Sequence, residues 1–374
     1  MRILDFLNSN SDWESILSQE PYHIDVARDG EYIILKYSQI KSDFSNELVR
    51  QCRGSIFKQV DGKFECVCMP FYKFGNHGES YADNIDWSTA SVLEKLDGSL
   101  IKLWYDNGAW HWSTNNTIDA RKAGIRAGKH SRFHSLVLEA LNGDESFLDV
   151  LDKQSCYMFE LISPFNRIIA EYKETKLALI GARNMTTMQE YSQEDLEKLY
   201  EHKLKNTKAR FILPKRYKLN SLEGCLEATK NMSPNEEGFV VVDKNFNRVK
   251  VKSTAWLAAA KIKNNGVISA ERVVKMMSDG VLDDFKAYCP EHTDYIDTFI
   301  SRFNKLEEML VESLVKYKEN LLMDRKAFAQ AIKSEPKVVQ SFLFLRHDGL
   351  NIAVRKYLGS IRPKRLAEII EDIK

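Results

Sequence analysis

The chain has 374 residues, of which 44% are hydrophobic and 29% are charged, and its net charge is +1. This balance is typical of a soluble globular protein, and the length allows two or three domains. The near-neutral charge gives no evidence for a nucleic-acid partner, so such a surface would have to come from local clusters of lysine and arginine. We find no apolar run of the roughly 20 residues that a membrane span needs, and no signal peptide.

Six cysteines are scattered along the chain without the CxxC pairs of a zinc site. A chain of this size needs no disulfides for stability, so we expect reduced thiols and a cytoplasmic protein without a membrane partner. The cysteines are Cys52, Cys66, Cys68, Cys156, Cys225 and Cys289.

The first two thirds of the chain predict strands joined by tight turns. Residues 31–38, EYIILKYS, are rich in β-formers. Three hairpins are predicted, at residues 55–68, 100–113 and 239–252. Asp61-Gly62 and Asn107-Gly108 supply the positive φ angles that tight turns of the first two hairpins require. Helical periodicity is predicted at residues 117–153 and 192–203. The pattern indicates an α+β domain of antiparallel sheets with flanking helices.

After Ser253, a good N-cap, the pattern becomes helical. Apolar residues recur at steps of three and four from Phe299 to Tyr317, which predicts a long amphipathic helix. Asp324 can cap a second helix, and Pro363 suits the first turn of another. We therefore predict two domains, residues 1–254 and an all-α C-terminal domain of residues 255–374.

Residues 95–98 read KLDG, a lysine placed just before a turn. Alone, this motif is equally compatible with a surface lysine before a DG turn. Three further features change the interpretation. Glu160 lies in an apolar strand, where a carboxylate is costly unless it is hydrogen-bonded. Glu237-Gly238 opens the strand FVVV, and Lys250 and Lys252 alternate with valines, so both lysines point to one face.

Three lysines and two carboxylates together suit a polyphosphate with a divalent cation. The lysines would neutralise phosphate oxygens, and the carboxylates would hold the metal and the sugar. A free lysine has a pKa of about 10.4 and is protonated at neutral pH. Nearby cations and partial burial lower the pKa of a lysine and produce a nucleophilic amine, which could attack the α-phosphorus of a nucleotide.

In this order, the four motifs resemble those of the covalent nucleotidyltransferases, the nucleic-acid ligases and mRNA capping enzymes. Within that superfamily the chain resembles the tRNA-repairing RNA ligase 1 family of T-even bacteriophages, over roughly residues 30–255. The resemblance rests further on QCRGSIF at 51–57, YKFGN at 72–76 and SPFNRII at 163–169. Two positions depart from the family. Gly75 replaces an aromatic residue, and Thr114 stands where the family has a lysine.

The resemblance implies an ATP-grasp-like nucleotidyltransferase fold and an ATP-dependent RNA ligase. Such an enzyme joins a 3′-hydroxyl to a 5′-phosphate through lysyl-AMP and an RNA-adenylate. It would use ATP and Mg²⁺ or Mn²⁺, and it would act on RNA, with tRNA one possible substrate. Because no Walker-type loop is visible, a separate kinase/phosphatase would heal damaged ends. The location would be the cytoplasm, that of a host if the gene belongs to a phage.

The resemblance also implies roles for individual residues. Lys95 is the nucleophile, assisted by Asp97, Lys250 and Lys252, and the metal ligands are Glu237 and Asp97. The expected ATP-binding residues are Tyr37, Arg53, Lys73, Glu94, Gly98, Glu160, Glu237, Lys250 and Lys252. Among them, Glu160 would bind the ribose, Lys250 and Lys252 the α-phosphate, and Arg53 and Lys73 the triphosphate or the RNA 5′-phosphate.

A basic cluster near the C-terminus has two open interpretations, a solvated helix end or a patch that binds RNA phosphates. Its members are Arg355, Lys356, Arg362, Lys364 and Arg365. No motif in this region matches the family, so substrate specificity is not carried over from it. We expect the helical domain, residues 255–374, to contribute to RNA specificity.

Other functions share some of these motifs. A capping guanylyltransferase or a DNA ligase also fits KxDG and KxK, but both typically continue into a β-rich OB domain, whereas this chain becomes helical. A non-catalytic RNA-binding module with the same fold is a third possibility, and four intact motifs argue against it.

Overall fold

The computed structural model describes residues 2–39, 41–127, 130–166, 169–257, 268–279, 282, 285–286 and 292–373. The chain divides into two compact units, residues 1–263 and 264–374, whereas the sequence placed the boundary after residue 254. The five cysteines in the described residues are free, and Cys289 lies outside them. Among the described residues, no helix is long and apolar enough to cross a membrane.

The first unit is built mainly from short strands. They are β1 Ile24–Asp29, β2 Tyr32–Tyr37, β3 Arg53–Val60, β4 Lys63–Cys68, β5 Ser91–Glu94, β6 Ser99–Asp106, β7 Ala109–Thr114, β8 Gly124–Ala127, β9 His130–Arg132, β10 Ser155–Ile162, β11 Lys176–Asn184, β12 Phe211–Ile212, β13 Arg216–Tyr217, β14 Gly238–Val242 and β15 Arg248–Lys252. Its α-helices are α1 Arg2–Ser9, α2 Trp13–Ser18, α3 Glu47–Gln51, α4 Phe133–Leu141, α5 Gln193–Leu199 and α6 Leu222–Lys230, with a 3₁₀ turn at Ser146–Asp149 and a π-helical turn at Tyr200–Leu204.

These strands form three sheets and one small ribbon. The sheet orders are β1-β2-β3-β4, β12-β11-β10-β6-β7 and β13-β5-β14-β15, with β8-β9 apart. Every pair is antiparallel except β11 with β12. The hairpin predictions are confirmed, since Asp61-Gly62 and Asn107-Gly108 have positive φ angles at the turns of β3–β4 and β6–β7. The first unit is thus the predicted antiparallel α+β domain.

The helical prediction for residues 117–153 is wrong over part of its length. Strands β8 and β9 pair within this stretch, and helix α4 begins only at Phe133. Gly124 disfavours helix, and Ile125 packs instead against the apolar core of the five-stranded sheet. Tertiary packing therefore overrides the local pattern. The prediction for residues 192–203 is confirmed by α5 and the π-helical turn.

The second unit is helical throughout its described residues. Its helices are α7 Ala270–Asp279, α8 Thr293–Lys316, α9 Arg325–Ala331, α10 Lys337–His347, α11 Val354–Ser360 and α12 Pro363–Glu371, with a 3₁₀ turn at Asn320–Leu322. The long helix α8 buries Phe299, Leu306 and Leu310 along one side, as its periodicity predicted. Asp324 caps α9 by accepting hydrogen bonds from two backbone amides. Pro363 begins α12.

Candidate active site

The loop that joins β5 to β6 carries Lys95 and places it against the β14–β15 hairpin. The backbone N–H of Lys95 donates to the Gly238 carbonyl at 2.9 Å. The Lys95 Nζ lies 2.6 Å from Glu237 Oε1, and Lys252 Nζ lies 3.1 Å from the same oxygen. The Glu237 and Lys252 side chains are only 4% and 1% exposed. One buried carboxylate therefore binds two of the lysines singled out in the sequence.

The register of the hairpin explains why the lysines face this way. Gly238 pairs with Lys252, and Val240 pairs with Lys250. On the opposite face of β14 and β15, valines and a phenylalanine pack into an apolar core with Cys225. Because side chains alternate along a strand, burial of the valines directs both lysines to the face that meets Lys95.

Two glycines of the motifs are required by close contact. A Cβ atom at Gly98 would lie 2.5 Å from the Leu161 carbonyl oxygen of β10. At Gly238, where φ is +134°, a Cβ would lie 2.1 Å from the Val251 carbonyl oxygen. Any other residue would push the Lys95 loop away from β10, or β14 away from β15. The glycines therefore keep the lysines and carboxylates close together.

Asp97 joins the Lys95 loop to the chain that follows β10. Its Oδ2 accepts hydrogen bonds from the backbone N–H groups of Ile169 and Ala170, both at 2.7 Å, and from Trp256 Nε1 at 3.4 Å. Its own N–H donates to the Tyr172 hydroxyl at 2.9 Å. Burial and the negative charge of Glu237 raise the pKa of Asp97, and the backbone hydrogen bonds oppose this shift.

Glu160 lies on β10 beside the same loop, where its Oε1 accepts a hydrogen bond from the Gly98 N–H at 3.1 Å. Burial raises the pKa of Glu160 to about 7. The positive charge of Lys95 opposes that shift, and the negative charge of Glu237 adds to it. The carboxylates at positions 97, 160 and 237 thus repel one another in a site of low polarity.

Such a concentration of carboxylates fits a divalent cation that is shared with a substrate. Within the described residues, no three His, Cys, Asp or Glu side chains form a ready-made metal cluster. Magnesium in phosphate-transfer sites usually binds one or two carboxylates together with substrate phosphates, so a complete protein cage is not needed. Asp97, Glu160 and Glu237 provide oxygen donors of this kind.

A second group of cations lies on aromatic rings. The Phe74 ring centroid lies 5.5 Å from Arg53 Cζ and 5.3 Å from Lys250 Nζ. Lys73 Nζ lies 4.6 Å from the Phe44 ring centroid and 5.5 Å from that of Tyr37. Aromatic faces attract cations, so these rings help to position Arg53, Lys73 and Lys250, whose positive charges suit phosphate oxygens.

The two departures from the family pattern have local structural explanations. A Cβ at Gly75 would lie 3.0 Å from Ala82 Cα, so an aromatic side chain has no room there. Gly75 also accepts the backbone N–H of Lys250 at 3.0 Å, which holds the Phe74 segment beside β15. Thr114 stabilises a turn through its hydroxyl, which lies 2.9 Å from that of Thr117.

Some residues from the sequence analysis lie in other surroundings. Glu94 Oε2 accepts the Lys215 N–H at 3.2 Å, a contact between β5 and the chain before β13.

In the second unit, Arg355 Nε donates to the buried Glu307 at 2.8 Å, so Arg355 has a structural partner. Arg365 forms an exposed pair with Glu368 on its own helix. The remaining three basic residues of the cluster, Lys356, Arg362 and Lys364, are exposed. Residues 167–168 of the SPFNRII segment lie outside the described residues.

Sequence reasoning missed two aromatic residues of the site. The Trp256 ring centroid lies 4.6 Å from Lys252 Nζ, and its indole N–H reaches Asp97. Tyr172 receives the Asp97 N–H. The available signals were a tryptophan four residues after the KxK strand and a tyrosine three residues after the SPFNRII segment.

Comparison with known proteins shows the family. Residues 51–266 match the RNA ligase family. The chain belongs to this family. The match covers the Lys95 loop and the β14–β15 hairpin, and it confirms the resemblance seen in the sequence.

Individual relatives of this RNA ligase family member carry related names. The putative bifunctional polynucleotide kinase/RNA ligase of Autographa californica nuclear polyhedrosis virus is 28% identical over 363 residues, covering 91% of this chain and 49% of that protein. The chain thus spans about half the length of this relative. The RNA ligase of Rhodothermus phage RM378 is 25% identical, covering 80% of this chain and 81% of that protein. An archaeal ATP-dependent RNA ligase structure aligns with a TM-score of 0.47 and 12% identity, covering 79% of this chain and 76% of that one.

The close contact at Gly238 gives a prediction for stability. We expect Gly238→Ala to lower the free energy of unfolding by at least about 3 kcal/mol, because the backbone of β15 must move. Gly108→Ala is a matched control, since Gly108 also has positive φ but no atom within 4 Å of an added Cβ. The control should cost about 1–2 kcal/mol, the strain of a left-handed conformation alone. Urea denaturation measures both, and equal losses would contradict the packing argument.

Proposed function

We propose that the protein is an ATP-dependent RNA ligase that seals 3′-hydroxyl and 5′-phosphate RNA ends through a lysyl-AMP intermediate. The observation that carries this proposal is the shared Glu237 carboxylate, which brings Lys95 and Lys252 together in a member of the RNA ligase family. The arrangement supplies a nucleophile, an acceptor for its proton and cations for a phosphate in one place.

In the first step, the Lys95 amine attacks the α-phosphorus of ATP. A phosphorus–nitrogen bond forms, and the bond to the bridging oxygen of pyrophosphate breaks. The ammonium must first lose a proton, and Glu237 Oε1, 2.6 Å away, is placed to accept it. Lys250 and Lys252 neutralise charge on the α-phosphate, which is the main requirement of phosphoryl-type transfer.

In the second and third steps, AMP passes to the RNA 5′-phosphate, and the 3′-hydroxyl then displaces AMP. Glu160 binds the ribose hydroxyls, and Arg53, Lys73 and Tyr37 line the part of the site that takes the remaining phosphates. A divalent cation, Mg²⁺ or Mn²⁺, would be held by Glu237 and Asp97 and would supply further charge neutralisation when bound. Asp97 also positions the Lys95 loop through its contacts with Ile169 and Ala170.

The RNA substrate and its supply follow from the same chemistry. The reaction needs a 5′-phosphate and a 3′-hydroxyl. Where damaged RNA ends lack these groups, a kinase adds the 5′-phosphate and a phosphatase restores the 3′-hydroxyl. The baculovirus relative is named as a combined kinase and ligase, which supports a role in RNA repair. We propose tRNA as a substrate, with its ends healed by kinase and phosphatase activities before ligation. In the described residues after Lys252 the chain is helical, which favours a ligase over a capping enzyme or a DNA ligase with an OB domain.

The nucleophile is tested by incubation with α-labelled ATP and magnesium, followed by denaturing electrophoresis. We expect an acid-labile label on the wild type and none on Lys95→Ala. Lys95→Arg should also remain unlabelled, because a guanidinium stays protonated. Lys122→Ala, on an exposed lysine, is the control and should label normally. Covalent AMP on Lys95→Ala would refute the assignment, and labelling by GTP in preference to ATP would indicate a capping enzyme.

The hairpin residues are tested by single and double substitution. Glu237→Ala and Lys250→Ala should each slow lysyl-AMP formation by at least about a hundredfold, the scale of a lost electrostatic contact with a transition state. Because both lie on the β14–β15 hairpin, the double variant should lose less than the product of the two effects. Single-turnover rates measure this, and near-normal rates in either single variant would place the site elsewhere.

The basic cluster is tested in the full-length protein. Changing Lys356, Arg362, Lys364 and Arg365 to glutamine should weaken RNA binding and reduce its salt dependence, because fewer counterions are released. Arg355 is kept, since it pairs with Glu307. The control changes four other lysines of the second unit that are also exposed: Lys318, Lys326, Lys333 and Lys337. Both variants should form lysyl-AMP normally, and an equal loss of RNA binding in both would exclude a specific patch.

A further inference from the structure

Lys102 is a fully buried lysine that the proposed chemistry does not use. It lies on β6 with an exposed fraction of 0% and is among the largest fully buried side chains of the protein. In the sheet it stands opposite Met158 of β10 on one side and Ser113 of β7 on the other. Its ammonium donates a hydrogen bond to the backbone carbonyl of Gly54.

The surroundings of Lys102 make its charge costly. Leu100 and Trp104, its neighbours on the same face of β6, are both buried in apolar clusters. Within the described residues, no carboxylate forms an ion pair with Lys102. Burial lowers the pKa of Lys102, and the thiols of Cys68 and Cys156 oppose this shift. A buried charge without a counter-charge normally destabilises a protein, because its lost hydration is not replaced.

A second cation lies beside the same peptide unit. Arg53 precedes Gly54, and its positive charge is close enough to lower the pKa of Lys102 further. Its Nη1 is buried and has no hydrogen-bond partner in the described part of the chain. Arg53 Cζ also lies 5.5 Å from the Phe74 ring centroid, and Lys250 Nζ of the candidate active site lies 5.3 Å from the same centroid, so Arg53 belongs to this site. Arg53 and Lys102 are thus neighbouring cations, and within the described residues neither forms an ion pair with a carboxylate, so a bound phosphate would supply charge that suits both.

We propose that Lys102 is a positioning residue of the phosphate-binding site, which holds the Gly54 carbonyl so that Arg53 is presented to a phosphate group. The inference rests on the proposed function and deepens it. The phosphate belongs either to the triphosphate of ATP or to the 5′-end of RNA. When it binds, its negative charge offsets the repulsion between Lys102 and Arg53.

The proposed role predicts that a substitution at Lys102 has different effects on stability and on phosphate binding. A lysine kept only for packing would be well replaced at this position by methionine, which is unbranched, apolar and of similar length. Replacing an uncompensated buried charge by an apolar residue of similar volume is often neutral or stabilising. A positioning role predicts the opposite effect on phosphate binding, because Arg53 loses its support.

The test compares the full-length wild type with Lys102→Met and with Lys58→Met, a control lysine on β3 that pairs with Asp106. The melting temperature of Lys102→Met should equal or exceed that of the wild type. Its KM should rise at least about tenfold for ATP in lysyl-AMP formation if the triphosphate is the ligand, or for 5′-phosphorylated RNA in AMP transfer if the RNA end is the ligand. The kcat at saturation should change much less, and the control should keep both KM values. Lys102→Gln replaces the methionine variant if the latter does not fold.

Two results with protein variants would overturn the proposal, and a third comes from pyrophosphate binding. One is an unchanged KM for both substrates in Lys102→Met. The other is a Cys68→Ala substitution that lowers the melting temperature of the wild type much more than that of Lys102→Met, since this coupling would identify a Cys68 thiolate as the counter-charge. Pyrophosphate supplies a test that does not depend on ligase activity. It should raise the melting temperature of the wild type more than that of Lys102→Met, even if the wild type forms no lysyl-AMP, in which case only the proposed function fails. An equal rise in both proteins would contradict the role of Lys102.

Discussion

The contact on which the site depends is the sharing of one buried carboxylate oxygen by two lysines. Glu237 Oε1 lies within hydrogen-bond distance of both Lys95 and Lys252, which come from different parts of the chain. A carboxylate this deeply buried is stable only with such partners, and each ammonium needs the carboxylate in turn. The ion pairs of Glu237 therefore hold the Lys95 loop against the β14–β15 hairpin.

Close approach of neighbouring backbones keeps Lys95, Glu237 and Lys252 in contact. Gly98 and Gly238 permit separations that no side chain would allow. Asp97 then ties the Lys95 loop to residues 169–170, while Trp256 contacts both Asp97 and Lys252. Each of these contacts restricts the position of Lys95, the proposed nucleophile, before any substrate binds. Because the charged groups are already in place, they need not rearrange during the reaction. Such preorganisation is the usual source of electrostatic catalysis.

Negative and positive side chains occupy different parts of the candidate active site. Carboxylates surround Lys95, where a cation and a sugar would bind, whereas the cations Arg53, Lys73 and Lys250 lie on aromatic rings. Lys102 extends the positive region into the interior, at a cost in stability that a phosphate would offset. This separation matches a substrate that presents phosphate, ribose and metal to different walls of one site.

The sequence alone determined the order of the motifs, the hairpins and the all-helical second unit. These depend on local rules, such as DG and NG turns, alternation along β15 and the repeat in α8. Only tertiary structure could show that Glu237 bridges Lys95 and Lys252, that Asp97 binds backbone amides, or that Arg355 pairs with Glu307, because these contacts join segments far apart in the chain. The same reason explains the false helix at residues 124–132, where strand pairing and packing outweighed local periodicity. Lys102 is a further example, since its sequence neighbours reveal neither its complete burial nor its hydrogen bond to the Gly54 carbonyl.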